Sequence, residues 1–318
     1  MPHTFDLLVV GDANPDIVLG PLDGPLAFGQ REQLVPTGLL TLGGSAAIVA
    51  CGAARLGLKV AFAGRIGDDD AGRYVRGALE ARGVDTDALR LDPELPTPLT
   101  TVVTRADDRA ILTSPGTLAT TDVTDVPEAL VAASRHVHVA SYFLLPALAT
   151  ALPTLWDTAR RHGATTSLDT NDDPSGTWRT GALTEALART DFLLPNAQEA
   201  LALAGDEATD LDGAAALLAR LGPLVVVKNG AAGALAHDGA SVVRTGGTPA
   251  RPKDTVGAGD SFDAGFIAAT LRGLGTERAL EVAAACGSLS TRAHGGTPAQ
   301  ATWDEALAAL TRNGKNQS

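Results

Sequence analysis

The sequence predicts one α/β domain with a mainly parallel sheet covered on both faces. Three observations predict it. Short apolar runs such as 5–10 and 224–228 alternate with longer small-residue or amphipathic stretches, the order in which strands and crossover helices follow one another in such sheets. The chain has 318 residues, long enough for one large domain with a small appendage. Its apolar fraction is 45% without any low-complexity stretch, so it can bury a core.

In order, 5–10 reads as an apolar strand ending at Gly11. Residues 45–56 form a small-residue helix stopped by Gly57. A strand over 60–66 and a helix over 69–82, closed by Gly83, follow. Residues 100–105 and 109–113 make a hairpin around Ala106-Asp107-Asp108. A strand over 136–142 carries His136 and His138 on one face, read as half-buried histidines. Next come a helix over 147–162, with Pro153 a kink or break, and a strand over 165–169. A helix over 181–189, a strand over 192–194 and helices over 197–204 and 212–221 lead to the buried strand 224–228. A second hairpin turns at Asp238-Gly239. Helices over 258–271, 277–292 and 303–310 complete the chain, with fraying from Thr311.

Two regions break the alternation. Residues 17–42 hold Pro21, Gly24, Pro25 and Pro36, and 91–114 is strand-like without a helix. Together they are expected to form a small antiparallel sheet, a lid drawn from about 12–42 and 91–114 on a single domain spanning 1–318. Its exposed edges offer a way to pair two copies in a homodimer.

The net charge of −12 repels phosphate backbones and anionic lipids, so nucleic acid and membrane surfaces are not expected partners. Cys51 and Cys286 sit in Ala/Gly-rich contexts and read as small buried hydrophobes rather than a disulfide framework. The start of the chain has no basic stretch before its four-residue apolar run, and no run approaches a membrane span, so a cytoplasmic location is expected.

The chemistry concentrates in Asp254-Thr255-Val256-Gly257-Ala258-Gly259-Asp260-Ser261-Phe262-Asp263-Ala264-Gly265-Phe266. Gly257, Ala258 and Gly259 leave the backbone bare where a helix starts, so free N–H groups and the positive end of the helix dipole make an anion site. Asp260 in the first turn stands beside whatever that site holds. Such a carboxylate suits the removal of a proton from a hydroxyl while the amides stabilise a transferring phosphoryl. The bland alternative is a helix-capping aspartate with glycines that only permit close packing.

The string matches the second signature of the ribokinase-like carbohydrate kinases, the PfkB family, at every defined position, and the chain resembles that family over nearly its whole length. Gly11-Asp12-Ala13-Asn14-Pro15-Asp16 resembles the family's substrate-contacting strand exit, and Gly43-Gly44-Ser45-Ala46-Ala47 its di-glycine sugar-binding turn. Asn196-Ala197-Gln198-Glu199 resembles its Asn-x-x-Glu motif, and Lys228-Asn229-Gly230-Ala231-Ala232-Gly233-Ala234 its nucleotide-side strand and loop.

The resemblance implies a three-layer ribokinase-like fold and transfer of the ATP γ-phosphate to a hydroxyl of a sugar or sugar-like molecule. Asp260 is then the base and Gly257, Ala258 and Gly259 the anion hole. Asn14, Asp16, Gly43, Gly44 and Ile48 bind the acceptor, while Asn196, Lys228, Gly230, Gly233 and Thr255 bind ATP. Glu199 meets Mg2+ through water. Some relatives also bind a monovalent cation such as K+ through backbone carbonyls near the anion hole. A nucleoside kinase and a non-catalytic ligand sensor of the same family are the alternatives; Phe28 as the only lid aromatic disfavours the first, and intact Asp260 the second.

Bland readings stand beside these roles. Asn196 and Glu199 have the spacing of a capping box. Lys228 has that of a snorkelling surface lysine, and Asp16 that of a turn or cap aspartate. Two departures bear on the substrate. The family's usual Asn is Ile48 here, which cannot hydrogen-bond a sugar hydroxyl. The Asp-x-Asn strand end at 169–171 is followed by Asp172 and Asp173 instead of Arg, which disfavours an anionic acceptor at that point.

Overall fold

The computed structural model describes residues 3–105, 108–178 and 181–315. The chain runs β1 (Phe5–Val10), β2 (Asn14–Gly20), β3 (Thr37–Gly43), α1 (Ser45–Arg55), β4 (Val60–Gly67), α2 (Asp70–Glu80), β5 (Leu89–Asp92), β6 (Leu99–Arg105) and β7 (Asp108–Ser114). It continues through α3 (Glu128–Ala132), β8 (Ser134–Val139), α4 (Pro146–Arg161), β9 (Thr165–Leu168), α5 (Gly181–Leu187), β10 (Phe192–Leu193), α6 (Ala197–Ala204), α7 (Leu211–Ala219) and β11 (Leu224–Lys228). It closes with β12 (Ala234–His237), β13 (Val242–Thr245), α8 (Ala258–Leu271), α9 (Thr276–Ser290) and α10 (Trp303–Lys315).

The main sheet has nine strands in the order β13-β12-β11-β10-β9-β8-β1-β4-β5. It is parallel from β5 to β11, with β12 and β13 antiparallel at one end. Side chains alternate across each strand, and both faces are buried. Leu7 and Val9 of β1 join a core with α1, α8 and α9, while Leu8 and Val10 join one with α4, α5 and α7. Each fully buried Leu or Val contributes about 1.5–3 kcal/mol relative to exposure, so the continuous apolar run of β1 follows from its central place.

After β1 the chain moves to β4 and β5 on one side, then returns to β8 on the other. Between β1 and β8 is therefore the switch point, and the crevice outside the strand ends there is where open α/β sheets bind ligands. Small residues let the helices nearest it approach closely. A β-carbon at Gly52 of α1 would stand 2.9 Å from that of Ala264 in α8, and one at Gly265 would meet Cys286 of α9 at 2.9 Å.

The lid is a four-stranded sheet ordered β3-β2-β6-β7. Its outer pairings, β2 with β3 and β6 with β7, are antiparallel, and the central pairing of β2 with β6 is parallel. The expected second segment, 91–114, begins too early. Leu89–Asp92 is β5 at the edge of the main sheet, paired with β4, and the lid strands start at Leu99. Asp69 ties the two parts together: it caps α2 through the Gly72 N–H at 2.7 Å and accepts from the Thr97 N–H at 2.9 Å.

Other expectations are revised. Pro153 does not break α4, which runs unbroken over 16 residues. The last helix continues past Thr311 to Lys315. The short helix α3 was not anticipated. The first hairpin's turn residues Ala106 and Asp107 lie outside the described residues. His136 and His138 are fully buried, not half-buried, because β8 lies inside the sheet. Burial pushes their pKa values down to about 3 and about 4, so both are neutral and bridged by the Ser167 hydroxyl at 2.7 and 2.8 Å. Cys51 and Cys286 are buried free thiols pushed up to about 12, which makes them inert packing groups. Among the described residues no helix is long and apolar enough to cross a membrane.

Candidate active site

A cleft of about 520 Å³ opens at the carboxyl ends of the central strands. Its floor is the start of α8, one wall is the loop after β11, and another is the end of α9; Arg109 of lid strand β7 reaches it from above. Asn196, Glu199, Lys228, Gly230, Gly233, Thr255 and the run from Gly257 to Asp260 all line it.

Helix α8 begins without a side-chain cap. Its N-cap is Gly257 in the left-handed conformation, φ +71, and the space above it is open cleft. The N–H of Ala258 bonds the Thr255 carbonyl at 3.2 Å, so of the three expected anion-hole residues this one is engaged inside its own turn. Helix α1 starts nearby and is different: both Asp12 carboxylate oxygens accept from its first amides, Ser45 at 3.1 Å and Ala46 at 3.0 Å. Of these two helix starts, only that of α8 offers bare amides to an anion.

Asp260 is 7% exposed and faces the same cleft. Burial pushes its carboxyl up to about 8; the charges of Asp169 and Asp12 add to this, while Lys228 and a hydrogen bond from Ser45 oppose it. Ser45 in turn accepts from Asn171 Nδ2 at 2.9 Å. Asn171, at φ +53, also accepts the Ser141 N–H at 2.7 Å, so the strand end after β9 orients the hydroxyl that contacts Asp260.

The residues expected to bind the acceptor stand next to the cleft rather than on its wall. Asp16, at the base of β2, is 6% exposed and receives Asn14 Nδ2 at 2.8 Å; Asn14 also donates to the Thr100 hydroxyl at 3.2 Å. Burial pushes the Asp16 carboxyl up to about 7 against that hydrogen bond, helped by the charges of Asp12 and Asp254. Glycine at 43 leaves room for the Asp16 carboxylate, because a β-carbon there would lie 2.0 Å from Asp16 Oδ1. Gly43→Ala should therefore displace the Asp16 carboxylate and raise KM for the acceptor by about tenfold or more, the loss of one hydrogen bond to a charged group, with KM for ATP unchanged; steady-state kinetics in both substrates checks this. Gly44, at φ +87, sits against the Asp12 carbonyl. Ile48 is buried and packs on Gly257 and Gly296, with its Cγ2 3.1 Å from where a Gly257 β-carbon would be.

Asn196 and Glu199 form the capping box their spacing suggested. Asn196 Oδ1 accepts the Glu199 N–H at 2.9 Å, and Glu199 Oε2 accepts the Asn196 N–H at 2.8 Å. Both still line the cleft, and burial pushes Glu199 up to about 7 with Asp169 adding and Lys228 opposing. The capping box leaves both residues on the cleft wall. Gly233, at φ +96, is held tight, since a β-carbon would meet the Thr245 carbonyl at 2.1 Å, whereas Gly230, at φ +54, faces open space. Thr255 is exposed at the rim, 3.5 Å from Arg109 Nη1.

Lys228 differs most from expectation. It does not snorkel to solvent: its ammonium lies 2.6 Å from Asp169 Oδ2 and 3.0 Å from Asp263 Oδ2. The sequence reading gives no individual site role to Asp12, Ser45, Asp169, Asn171, Asp263 or Arg109. All but Arg109 fall inside motifs already noted, but the contacts of Ser45 with Asn171 and of Asp263 with Lys228 span 126 and 35 positions.

The cleft brings the uncapped start of α8 and the buried Asp260 together in one space. The chain belongs to the pfkB family of carbohydrate kinases, whose model matches residues 4–303. It is 33% identical over 294 residues to an ATP-dependent ribose-1-phosphate kinase of Halopiger xanaduensis, covering 91% of this chain and 93% of the relative. It is also 33% identical to a fructokinase of Klebsiella pneumoniae, over 80% of this chain and 86% of that one. The ribokinase of Arabidopsis thaliana, solved with ribose and ATP, superposes with a TM-score of 0.84 at 27% identity, covering 98% and 99% of the two chains. A ribokinase-like protein of E. coli solved with ATP and Mg2+ shares the fold with a TM-score of 0.85 at 23% identity, covering 97% and 99%. The protein is an ATP-dependent sugar kinase.

Proposed function

We propose that this kinase phosphorylates a hydroxyl of a neutral sugar or sugar-like polyol, with Asp260 as general base. The observation that carries the reading is a buried acid in the first turn of an uncapped helix, facing the cleft that the 229–233 loop also lines. Asp16, backed by Asn14, anchors the acceptor beside the di-glycine turn. ATP lies along the 229–233 loop and the end of α9, with its γ-phosphate at the amides of Gly257 and Gly259. Asp260 takes the hydroxyl proton as the oxygen attacks in line, and closure of the lid excludes water. A neutral acceptor agrees with its surroundings: Asp12, Asp16, Asp254 and Asp260 crowd that side, and Ile48 adds an apolar surface.

Hard oxygen donors suit Mg2+. Glu199 fits it through water rather than directly, since its carboxylate already closes the capping box; the ion would neutralise charge on the nucleotide phosphates. One observation favours a second acceptor class. Arg109 is a cation at the cleft on a lid strand, and would meet a phosphate on an anionic sugar. ADP release measured with ribose, fructose, ribose 1-phosphate and adenosine, with and without K+, and with Asp260→Asn as control, separates these. Turnover of a neutral sugar supports the reading; exclusive use of the phosphorylated sugar favours the Arg109 alternative; exclusive use of adenosine makes it a nucleoside kinase. No turnover across a broad panel favours ligand sensing. A dependence on K+ would support a monovalent cation near the 254–258 turn.

The proposal extends to a homodimer through the lid, working in the cytoplasm. Strand β7 is exposed along its whole length, with Ile111 and Leu112 each 58% exposed. Leu39 and Leu40 of β3 are exposed as well. An apolar, unpaired edge invites pairing with a second copy. Leu112→Lys should convert a dimer to a monomer in light scattering; a wild-type chain that is monomeric at all concentrations would refute this part.

A further inference from the structure

Three carboxylates, Asp169, Asp260 and Asp263, bring oxygens within 4.8 Å of one another beneath the start of α8. All three are buried. Such a cluster needs a cation or protons, because like charges so close and so dry cannot all ionise. The chain supplies a cation itself. Lys228 Nζ is 2.6 Å from Asp169 and 3.0 Å from Asp263, and its side chain runs under the first turn of α8, with Nζ 3.6 Å from where a Gly259 β-carbon would stand.

We propose that Lys228 is a positioning residue: its ammonium is the tethered cation of the active-site floor, pinning the strand ends of β9 and β11 to α8 so that the Asp260 carboxylate and the Gly259 amide are held for phosphoryl transfer. It is not a ligand of the nucleotide phosphates. This inference rests on the proposed role of Asp260 as base.

The geometry specifies each contact. Asp263 lies one helical turn beyond Asp260 on the same helix, so a bond to Asp263 fixes the rotation of the turn that carries the base. Asp169 directly follows β9, and Lys228 terminates β11; between the two strands stands only β10. The ammonium therefore links two strand ends to the helix in one place. A cation already shared by two carboxylates has little charge left for ATP. Asp263 Oδ1 has no hydrogen-bond partner among the described residues, which disfavours a second full negative charge there. Burial pushes Asp263 well above the usual carboxylate range, with the Asp169 charge adding and Lys228 opposing, so the proton settles there. Asp169 stays ionised, opposed by burial but held down by Lys228, and the three groups together are close to neutral. Lys228 is correspondingly held above its usual range, burial opposing and the Asp169 carboxylate prevailing.

The test separates positioning from nucleotide binding. Lys228→Met should lower kcat on the order of 10²-fold, the effect of misplacing a reacting group by about 1 Å, while KM for ATP changes by less than about threefold. In Lys228→Ala, propylammonium added to the assay should restore part of kcat, because Lys228 borders the open cleft. If KM for ATP instead rises about tenfold or more with kcat unchanged, Lys228 binds the nucleotide and the inference fails. Should the Lys228 variants not fold, Asp263 carries the test. Asp263→Leu should lose more kcat than Asp263→Asn, whose amide oxygen can still accept from the Lys228 ammonium, and equal kcat in the two overturns the inference. Asp260→Asn measured alongside distinguishes the two readings. Wild-type turnover there sinks the base assignment; an inactive Asp260→Asn with an unaffected Lys228→Met sinks only the positioning role.

Discussion

Asp260→Asn should lower kcat by about 10²–10⁴-fold or more, the range expected when a general base is removed. The amide keeps the shape of the carboxylate and its place in the first turn of α8, so the cleft, the anion hole and KM for ATP should change little. The pH profile supplies a second readout. Only ionised Asp260 can take a proton, and burial pushes its carboxyl up to about 8. In the free enzyme kcat/KM should therefore rise with pH and level off above about 8, and Asp16, pushed up to about 7 by its own burial, adds a lower inflection through acceptor binding. Asp260→Asn should abolish the upper inflection along with the activity, and Asp16→Asn should remove the lower one. Persistence of near-wild-type turnover in Asp260→Asn would end the base assignment.

Gly257→Ala is the second large effect, expected to lower kcat by about 10²–10³-fold, as loss of a donor from an oxyanion hole does. Two features of this glycine combine. Its φ of +71 lies in the left-handed region, which costs an L-residue on the order of 1–2 kcal/mol. An added β-carbon would also stand 2.6 Å from the Gly296 α-carbon and 3.0 Å from its carbonyl oxygen, with Ile48 closing the third side at 3.1 Å. Backbone cannot rotate away as a side chain can, so the N-cap must move and take the amides with it. The fold should survive, because α8 also packs on α1 and α9 further along the helix, at Ala264 and Gly265. A circular dichroism melt showing a folded protein with collapsed kcat is the expected outcome; a folded variant with unchanged kcat would mean that the amides do not hold the transferring group.

The thirteen residues from Asp254 to Phe266 carried most of what was legible beforehand. They contain the N-cap, the bare amides and the acid within a few helical positions, and a local motif keeps its meaning wherever the helix is placed. The alternation of apolar runs was equally legible, since burial on both faces leaves no polar stripe. Element ends in the sequence lie within a few residues of the observed ones, but Leu91 and Asp92, the second half of β5, read with the lid because they have the same local character as a lid strand. Only its pairing with β4 makes it part of the main sheet.

Lys228 and His138 mark where such reading stops. A lysine closing an apolar strand looks like a residue reaching for water, and two alternating histidines look half-exposed. Neither pattern records that Asp169 and Asp263 wait 59 and 35 positions away, or that β9 will cover β8. The sequence by itself determined the layered fold, the glycine start of α8 and the acid in its first turn, because each depends on residues near one another in the chain. Tertiary structure alone decided which cation neutralises the floor, which hydroxyl contacts Asp260, and that Asp16 lies against the glycine at 43. Those depend on distance in space, and a Coulombic or steric contact only a few ångströms long leaves no trace in the spacing of residues that folding brings together.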